Sequence, residues 1–369
     1  MERRERRVLS CQQIDRFLCD GVLVVEGILD ANEIERAKNG LHRTLNSHGV
    51  DHARLEATGH NLRALSSTNG SGGVLDLFYP EWKMDIASNP KLFEATCQLW
   101  EAAFCQNGEK AAELPGADTF KWHPYGQFDC NKGYMYIDRI CYRIPTELSL
   151  QLGARMQETA KKKKVKPIQR SLTPHLDCCP DDFFGSSSKW RPIQCFVSLT
   201  DNTEPNTGGF EAASGFHREF DTWSQRRLPT TMTRKVDGVA TRVSFPAPCL
   251  GEYTHVRPTE DADVMARIRH VPVRAGCAVF WDNRIPHANA YRHNGQIPRA
   301  VVYCSFLPDI PLNREYVEKQ LANLRAGRKP TDQWINAPSE DDDPGPSDAF
   351  LSSSSLAPLA RKLLGMDSW

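Results

Sequence analysis

Two side chains able to bind a metal ion stand one residue apart in the segment TPHLDCCP, residues 173–180. On a β-strand, His175 and Asp177 would point to the same face, because side-chain direction alternates from one residue to the next. A histidine and a carboxylate are two of the three ligands in the facial arrangement of non-haem Fe(II) oxygenases, which keeps coordination positions open. An HxD pair alone is a weak signal, since such pairs also occur in exposed turns.

A third ligand is expected on a later strand, and His287 is the best candidate among the 11 histidines. It follows the strand-like segment CAVFWDN and the turn RIP, and it precedes RAVVYCSF, which begins at Arg299. A buried arginine on the strand after the second histidine can form a two-pronged salt bridge with the distal carboxylate of 2-oxoglutarate. Asn289 would share the face of His287 and offer its amide to the same co-substrate. The full set, each member in a β context, is a much stronger signal than the HxD pair.

Five further residues are candidates for the pocket wall or for substrate contacts: His217, Arg143, Tyr142, Gln194 and Trp190. His217 is equally consistent with a structural histidine, and core packing is the favoured interpretation for Gln194 and Trp190. Cys178 and Cys179 lie beside the expected ligands. Direct ligation by them would crowd a site that needs open positions, so we expect both either to support the ligands from behind or to pack in the core.

The elements that must position these residues change in character along the chain. Helical periodicity, with capping-box spacings at Ser10 and Asp30, predicts a mainly helical region over residues 10–105. Short segments rich in β-branched and aromatic residues predict a β core over about residues 118–310. Because most of these segments lack helical spacers, an antiparallel sandwich or barrel is favoured over a doubly wound sheet. The expected fold class is mainly β with flanking helices (α+β).

The predicted organisation is a single catalytic domain at 1–310, a helix at 311–327, an acidic, proline-rich linker at 328–350 and a C-terminal amphipathic helix at 351–369. Within the β region, residues 224–270 hold few strand signals and many turn residues. The run KKKKVK (161–166) resembles a nuclear-import signal, although a solvated loop is the favoured interpretation. The segment NGSGGV (69–74) lacks the Gly-Lys-Ser/Thr of a phosphate loop, which indicates a flexible loop.

The bulk composition limits the classes of function. Lys+Arg and Asp+Glu balance at 46 each, which disfavours nucleic acid as the partner and favours a small-molecule substrate. No apolar run of about 18 residues is present, so no membrane association is expected. The twelve cysteines include no CxxC pair, which favours reduced thiols and an intracellular, mainly cytoplasmic location. Nothing in the sequence identifies a protein partner.

In the order of His175, Asp177, His287 and Arg299, the chain resembles the phytanoyl-CoA dioxygenase-like family of Fe(II)/2-oxoglutarate-dependent dioxygenases. Three stretches within roughly residues 12–310 add to the resemblance. IDRFLCDGVLVVEGILDANEIERAKNGL is similar to the family's opening of helix, Asp-Gly, strand and helix. NTGGFEAASGFH resembles its NGxLxxxPGSH segment, with Phe in place of the Ser before the histidine. PHANAYRHNGQIPRAVVYCSF resembles its closing segment, with Asn289 where Ser is common.

The resemblance implies a double-stranded β-helix (jelly-roll, cupin-like) core, Fe(II) held by His175, Asp177 and His287, and 2-oxoglutarate held by Arg299. It also implies a reaction with O₂ that converts 2-oxoglutarate to succinate and CO₂ while the substrate is oxidised. Halogenating relatives lack the metal-binding carboxylate, so Asp177 favours hydroxylation. The CoA-thioester substrate does not follow, because one fold serves many substrates.

Two alternatives stay open at this point. One is a cupin-type metal dioxygenase that does not use 2-oxoglutarate. The other is a non-catalytic binding or scaffold protein, with the C-terminal helix and Trp369 as its docking element.

Overall fold

The structure is a computed structural model, and it describes residues 7–105, 128–158, 166–178, 189–227, 231–236, 239–244, 253–330 and 356–369. The described helices are α1 Cys11–Asp20, α2 Ala31–Ser47, α3 Leu55–Thr58, α4 Leu62–Leu65, α5 Glu81–Ala87, α6 Pro90–Phe104, α7 Thr146–Glu158, α8 Phe220–Gln225, α9 Ala262–Met265, α10 Pro311–Arg325 and α11 Pro358–Leu363. None of these helices is both long and apolar enough to cross a membrane.

The described strands are β1 Val22–Val25, β2 Val74–Leu75, β3 Gly133–Tyr136, β4 Ile140–Arg143, β5 His175–Leu176, β6 Ile193–Ser198, β7 Phe210–Ala212, β8 Thr231–Val236, β9 Val239–Ser244, β10 Thr254–His255, β11 Arg269–His270, β12 Ala278–Asp282, β13 His287–Asn289, β14 Arg299–Tyr303 and β15 Ser305–Pro308. Four segments have the composition of strands: KGYMYIDRICYRIP, IQCFVSLTD, VPVRAGCAVFWD and RAVVYCSFLP. Strands form in each of them, and the first and the last each contain two strands. The fold therefore combines helices with antiparallel sheets.

The N-terminal helices begin where local hydrogen bonding predicts. The side chain of Ser10 accepts a hydrogen bond from the Gln13 amide, and the Gln13 side chain accepts one from the Ser10 amide, which forms the capping box of α1. Asp30 and Glu33 form the same reciprocal pair at the start of α2. These pairs satisfy backbone N–H groups that the first helical turn leaves without partners. Both capping boxes confirm the sequence-based predictions.

Two antiparallel sheets form the β region. The large sheet has the strand order β1-β12-β6-β14-β4-β2, and the small sheet has the order β10-β5-β13-β7-β11. Among the described strands, β3 pairs with β15 and β8 pairs with β9 as separate two-stranded units. Strands far apart in sequence therefore become neighbours, and β5 lies next to β13 although more than a hundred residues separate them.

The large sheet is buried on both faces. Phe196 and Trp281 lie on the face that packs towards the small sheet. Their sequence neighbours Cys195 and Phe280 pack on the opposite face, in the main hydrophobic core with the N-terminal helices. The alternation of strand side chains thus separates two apolar clusters, one between the sheets and one between the large sheet and the helices. The first of these two spaces contains the candidate site.

Several regions differ from the predictions. Residues 146–158 form α7, a helix that the sequence reading did not identify, and the turn-rich region 224–270 contributes β8, β9, β10 and β11. The C-terminal segment forms only a short helix, α11, and Trp369 stacks on Phe93 with ring centroids 5.3 Å apart. Trp369 therefore packs on the chain's own core, which argues against the idea of a free docking element. Most of the KKKKVK run and of the 328–350 linker lies outside the described residues.

Candidate metal centre

The structure brings the three expected metal ligands together. His175 is the first residue of β5, Asp177 follows that strand directly, and His287 is the first residue of β13. β5 and β13 pair so that His175 and His287 lie opposite each other. One ligand atom from each of the three side chains lies within 4.8 Å of the others, and no other such cluster occurs among the described residues. The strand pairing, rather than the local sequence, closes the triad.

Backbone carbonyls fix the orientation of both imidazole rings. The Nδ1 atom of His175 lies 2.8 Å from the Thr173 carbonyl, and that of His287 lies 2.9 Å from the Ile285 carbonyl. Because a carbonyl oxygen only accepts, each Nδ1 carries the proton and each Nε2 keeps its lone pair. The Nε2 atoms lie 3.5 Å and 3.7 Å from the two carboxylate oxygens of Asp177. Both lone pairs are therefore turned towards the carboxylate, as metal ligation requires.

The electrostatics of the cluster favour the metal-binding protonation states. Burial, together with the neighbouring His287, lowers the pKa of His175 to about 4. Burial alone would raise the pKa of Asp177, but the two histidines and Arg191 hold it well below its usual value. At neutral pH the site thus offers a neutral His175 and an ionised Asp177.

Gln194 and Arg191 hold the carboxylate of Asp177. The Nε2 group of Gln194 donates to Oδ2 of Asp177 at 3.0 Å, and the Arg191 guanidinium approaches the same oxygen at 4.0 Å. Gln194 is buried, and its Oε1 atom has no hydrogen-bond partner among the described residues. The other carboxylate oxygen of Asp177, Oδ1, contacts neither Gln194 nor Arg191. Gln194 therefore belongs to the site, and it orients the carboxylate rather than filling the core.

Arg299 begins β14 and lies in the interior between the two sheets. Its guanidinium donates to Oδ1 of Asn289 at 3.0 Å and to Sγ of Cys141 at 3.4 Å, and it lies 5.3 Å from the centre of the Phe196 ring. The side chain is buried, yet it forms no salt bridge with any described carboxylate. Burial of an unpaired charge is costly, so this arginine is suited to an anion that binds from outside the chain.

A second buried arginine, Arg143, lies directly opposite Arg299 on β4. Its guanidinium donates to the carbonyls of Ala290 and Tyr291 at 2.5 and 2.9 Å, which ties down the backbone that follows β13. Gly73 has a φ of 74°, and a Cβ there would lie 2.7 Å from the Cα of Arg143. The glycine-rich segment at 69–74, expected to be a flexible loop, instead packs closely against this part of the site.

The triad faces an inner cavity of ≈ 530 Å³. Its wall includes Asn289 and Tyr303, whereas Arg299 lies just behind Asn289 and does not line it. Tyr303 is on the same face of β14 as Arg299, and its hydroxyl lies 3.5 Å from Nδ2 of Asn289. Tyr303 was not among the residues predicted from sequence. Its position four residues after Arg299 on one strand nevertheless indicates that both side chains lie on the same face.

Tyr253 is a second residue that the sequence reading missed. Its ring stacks on His175 with centroids 4.5 Å apart and planes inclined by 16°. It stands directly before β10, which pairs with β5 so that His255 lies opposite His175. No local pattern marks Tyr253, because the pairing of β10 with β5 brings it to the site.

Three other candidates lie away from the inner cavity. Tyr142 faces the helical side of β4, where its hydroxyl lies 2.5 Å from Nδ1 of His52. Trp190 packs edge-on against Phe104 and Phe128 in the main core. His217 places its Nε2 atom 3.1 Å from the Leu18 carbonyl, next to α1. The pocket roles considered for these three residues are therefore replaced by packing roles.

The donor set is consistent with a divalent first-row metal. Two neutral imidazoles and one carboxylate are the protein ligands of the facial site of non-haem Fe(II) oxygenases. Zinc enzymes also use two histidines and a carboxylate. The three residues therefore fit a metal ion that keeps open positions for further ligands.

Comparison with known proteins identifies a related family model and several related folds. A family model described as Gig2-like matches residues 180–346, a little under half of the chain. The match includes His287 and Arg299 but begins shortly after Asp177. No curated protein matches the chain.

Solved structures share the fold at low sequence identity. The chain is similar to GlcNAc Inducible Gene 2, GIG2 (DUF1479), from Candida albicans, with a TM-score of 0.66 and 14% identity, covering 98% of this chain and 77% of that one. It is also similar to a putative oxidoreductase from Salmonella typhimurium LT2, with a TM-score of 0.59 and 15% identity, covering 97% and 83%. The epimerase SnoN, solved with Fe3+, alpha ketoglutarate and nogalamycin RO, gives a TM-score of 0.43 and 15% identity over 90% and 91%, too low for an inference. These comparisons do not name the phytanoyl-CoA dioxygenase-like family.

Proposed function

We propose that the chain is an Fe(II)/2-oxoglutarate-dependent dioxygenase that hydroxylates a small molecule. In this proposal the two facing sheets form the double-stranded β-helix core, and the chain is a distant relative of the phytanoyl-CoA dioxygenase-like enzymes. His175, Asp177 and His287 hold the iron, and Arg299 holds the distal carboxylate of 2-oxoglutarate.

One observation carries the proposal. The imidazole lone pairs of His175 and His287 converge on Asp177. The same space between the sheets contains the buried guanidinium of Arg299, which has no carboxylate partner among the described residues. A metal site with open positions beside an unpaired buried cation is suited to a co-substrate that both chelates the metal and carries a second carboxylate.

The residues of the chain have separate tasks in this reaction. Iron and 2-oxoglutarate, when bound, supply the oxidising chemistry with O₂, and 2-oxoglutarate is converted to succinate and CO₂. Gln194 keeps Asp177 oriented through Oδ2, and the carbonyls of Thr173 and Ile285 keep both histidine tautomers fixed. Asn289 accepts from Arg299 and lines the inner cavity, so in this proposal its side chain must turn aside for the co-substrate to reach the guanidinium.

A metal dioxygenase of the cupin type that does not use 2-oxoglutarate is the second candidate. The observation in its favour is that Arg299 does not line the inner cavity, because Asn289 covers it. A non-catalytic scaffold is less well supported, since Trp369, its proposed docking element, stacks on Phe93 within the chain.

The test is an anaerobic titration of the metal-free protein with Fe(II) and then 2-oxoglutarate, followed by the visible metal-to-ligand charge-transfer band. We expect the band with wild-type protein, and succinate release when O₂ is admitted. Asp177→Ala should abolish the band, because two histidines alone bind the metal weakly. Asp15→Ala, at an exposed position of α1, serves as the control and should leave the band unchanged.

Two outcomes contradict the proposal in different ways. Fe(II) binding with O₂ uptake but neither the band nor succinate would favour the 2-oxoglutarate-independent dioxygenase. A protein that binds no Fe(II) would exclude both enzymes and favour the scaffold.

A further inference from the structure

A second cavity, the outer cavity, lies beside the inner one and has a volume of ≈ 700 Å³. The two cavities share the lining residues Leu172, Tyr253, His255, Ala288 and Asn289. The remaining wall of the outer cavity comes from the residues just before β5, from β7, from the segment between β10 and β11 that includes α9, and from the residues after β13. Nothing in the proposed binding of iron or 2-oxoglutarate uses this space, so its chemistry can be considered separately.

Glu211 projects from the small sheet into the outer cavity. It is the central residue of β7, and its neighbours Phe210 and Ala212 pack in the apolar cluster between the two sheets. Side chains alternate along a strand, so Glu211 points to the opposite face. There it lies across from Ala288 on β13, which also lines the outer cavity.

The carboxylate of Glu211 is the unmatched charge of this cavity. No other acidic residue lines the cavity, and the Glu211 side chain forms no hydrogen bond or salt bridge with another described residue. Burial raises its pKa, although Arg143 acts in the opposite direction. The carboxylate is thus partly desolvated, and Arg143 acts on it only without direct contact, so a cation bound in the cavity would stabilise it further.

The arginines at the other end of the cavity are already matched with acids. Arg257 lies 3.0 Å from Glu260, and its neighbour Arg227 forms a buried pair with Asp261 at 2.6 Å. Among the charged residues that line the outer cavity, Glu211 is therefore the one that no oppositely charged side chain contacts directly.

The rest of the outer cavity is suited to an apolar body. Its wall includes Pro174, Val256, Pro258, Met265 and Ile268. Tyr291, at the rim, is 73% exposed, which is unusual for a large aromatic side chain. An exposed aromatic face beside a carboxylate attracts organic cations through cation–π and charge interactions together.

We propose that the outer cavity binds a small organic cation, with its ammonium group at Glu211 and its apolar part against Tyr291 and the aliphatic wall. Because the outer cavity adjoins the inner one, the same molecule is suited to be the oxidised substrate, a role that depends on the function proposed above. The substrate class is then an amine with an apolar or aromatic body.

The binding test uses three probes of similar shape and different charge: 2-phenylethylamine, 2-phenylethanol and 3-phenylpropionate. Titration calorimetry on the metal-free protein at pH 7.5 measures the affinity of each. We expect the amine to bind about tenfold more tightly than the alcohol, which corresponds to about 1.4 kcal/mol. Added salt should reduce the difference, and the anion should bind most weakly.

Variants then test the assignment to Glu211. Glu211→Gln keeps the shape of the side chain and should remove the preference for the amine over the alcohol. The control Glu204→Gln changes an exposed carboxylate seven residues earlier and should leave this preference unchanged. Urea unfolding of both variants establishes that they fold. Equal affinity for amine and alcohol in the wild type, or an unchanged amine affinity in Glu211→Gln, would overturn the proposal.

The binding experiment is independent of the proposed reaction, because it contains neither iron nor 2-oxoglutarate. Succinate release by the iron-loaded enzyme, with and without 2-phenylethylamine, tests the substrate role. Amine binding without succinate release in any condition would leave the cation site intact and contradict the dioxygenase. Succinate release that the amine does not stimulate, while the alcohol does, would contradict the amine as substrate class.

Discussion

Replacement of Arg299 by Met should separate a co-substrate ligand from a structural arginine. In the protein without ligands, the guanidinium donates to Asn289 and Cys141 and has no carboxylate partner among the described residues. Arg299→Met would lose these contacts, about 1.5–3 kcal/mol for the charged hydrogen bond to the Asn289 amide. It would also remove a buried unpaired charge, a change that stabilises folded proteins. We therefore expect the free energy of unfolding to change by less than about 1 kcal/mol.

The effect on 2-oxoglutarate should be much larger. Hydrogen bonds to charged groups contribute about 1.5–3 kcal/mol each, so loss of a two-pronged contact costs about 3–5 kcal/mol. That range corresponds to a loss of affinity of roughly 10²- to 10³-fold or more. Arg299→Lys keeps the charge without the fork and should lose about 1–2 kcal/mol, roughly 5- to 30-fold.

The assay combines the anaerobic charge-transfer titration with urea unfolding of the metal-free protein. Arg143→Met is the matched control, since Arg143 lies opposite Arg299 but donates to the carbonyls of Ala290 and Tyr291. Removing it leaves two carbonyls without donors and should destabilise the protein by about 2–4 kcal/mol. The reasoning is refuted if Arg299→Met binds 2-oxoglutarate within threefold of wild type, or if it destabilises the metal-free protein as much as Arg143→Met does.

Three further changes have defined outcomes. Gln194→Leu removes the amide that orients Asp177 and should weaken Fe(II) binding by about 10- to 100-fold in a metal titration, whereas the exposed Gln151→Leu should not. Burial and Arg143 lower the pKa of His293 to about 4, so the unfolded chain takes up a proton below pH 6.5 while the folded protein resists it until about pH 4. His293 therefore lowers the free energy of unfolding by about 2 kcal/mol as pH falls from 7.5 to 5. In urea titrations at these two pH values, His293→Asn should remove this loss of stability. The control His60→Asn, at an exposed histidine, should leave the loss unchanged. Trp369→Ala should lower the free energy of unfolding by about 1–3 kcal/mol through lost packing on Phe93, and an unchanged urea midpoint would show that this contact is not maintained.

The residues of the His175–Asp177–His287 cluster were predictable from sequence because each has a local signal. His175 and Asp177 stand one residue apart, His287 follows the strand-like segment CAVFWDN, and Arg299 begins the strand-like segment RAVVYCSF. Capping boxes are equally local, so the starts of α1 and α2 were also predictable. In both cases each signal spans only a few positions, although pairing of β5 with β13 is what brings His287 to the other two residues.

Residues on doubly buried strands were not assignable to a face. Every residue of β4 and of β6 is buried, so hydrophobicity does not show which alternate set faces the site. Tyr142 and Arg143 are adjacent, and only Arg143 faces the space between the sheets. The same ambiguity concealed the role of Gln194, for which core packing was the favoured interpretation, although the residue contacts Asp177.

Long-range pairing concealed the remainder of the site. Tyr253 and His255 come from a turn-rich region with few strand signals, and they reach the site because β10 pairs with β5. The register of such a pair depends on the packing of the whole sheet, which single-sequence periodicity does not encode. The α7 helix was missed because its apolar positions give only a weak amphipathic pattern beside a lysine run.

The two opposed arginines are the strongest physical argument for an anionic ligand. Arg143 and Arg299 are like charges placed directly across neighbouring strands, an arrangement that is destabilising in a sheet. Burial, together with the positive charge of Arg299, lowers the pKa of Arg143. The lowered pKa reflects the same repulsion between the two guanidinium groups. Arg143 offsets part of this cost by donating to two backbone carbonyls. The Arg299 guanidinium contacts only the Asn289 amide, the Cys141 thiol and the Phe196 ring among the described residues. A dicarboxylate bound near Asn289 would compensate Arg299 directly and weaken its repulsion of Arg143, so 2-oxoglutarate should raise the thermal stability of the protein even when the metal site is empty.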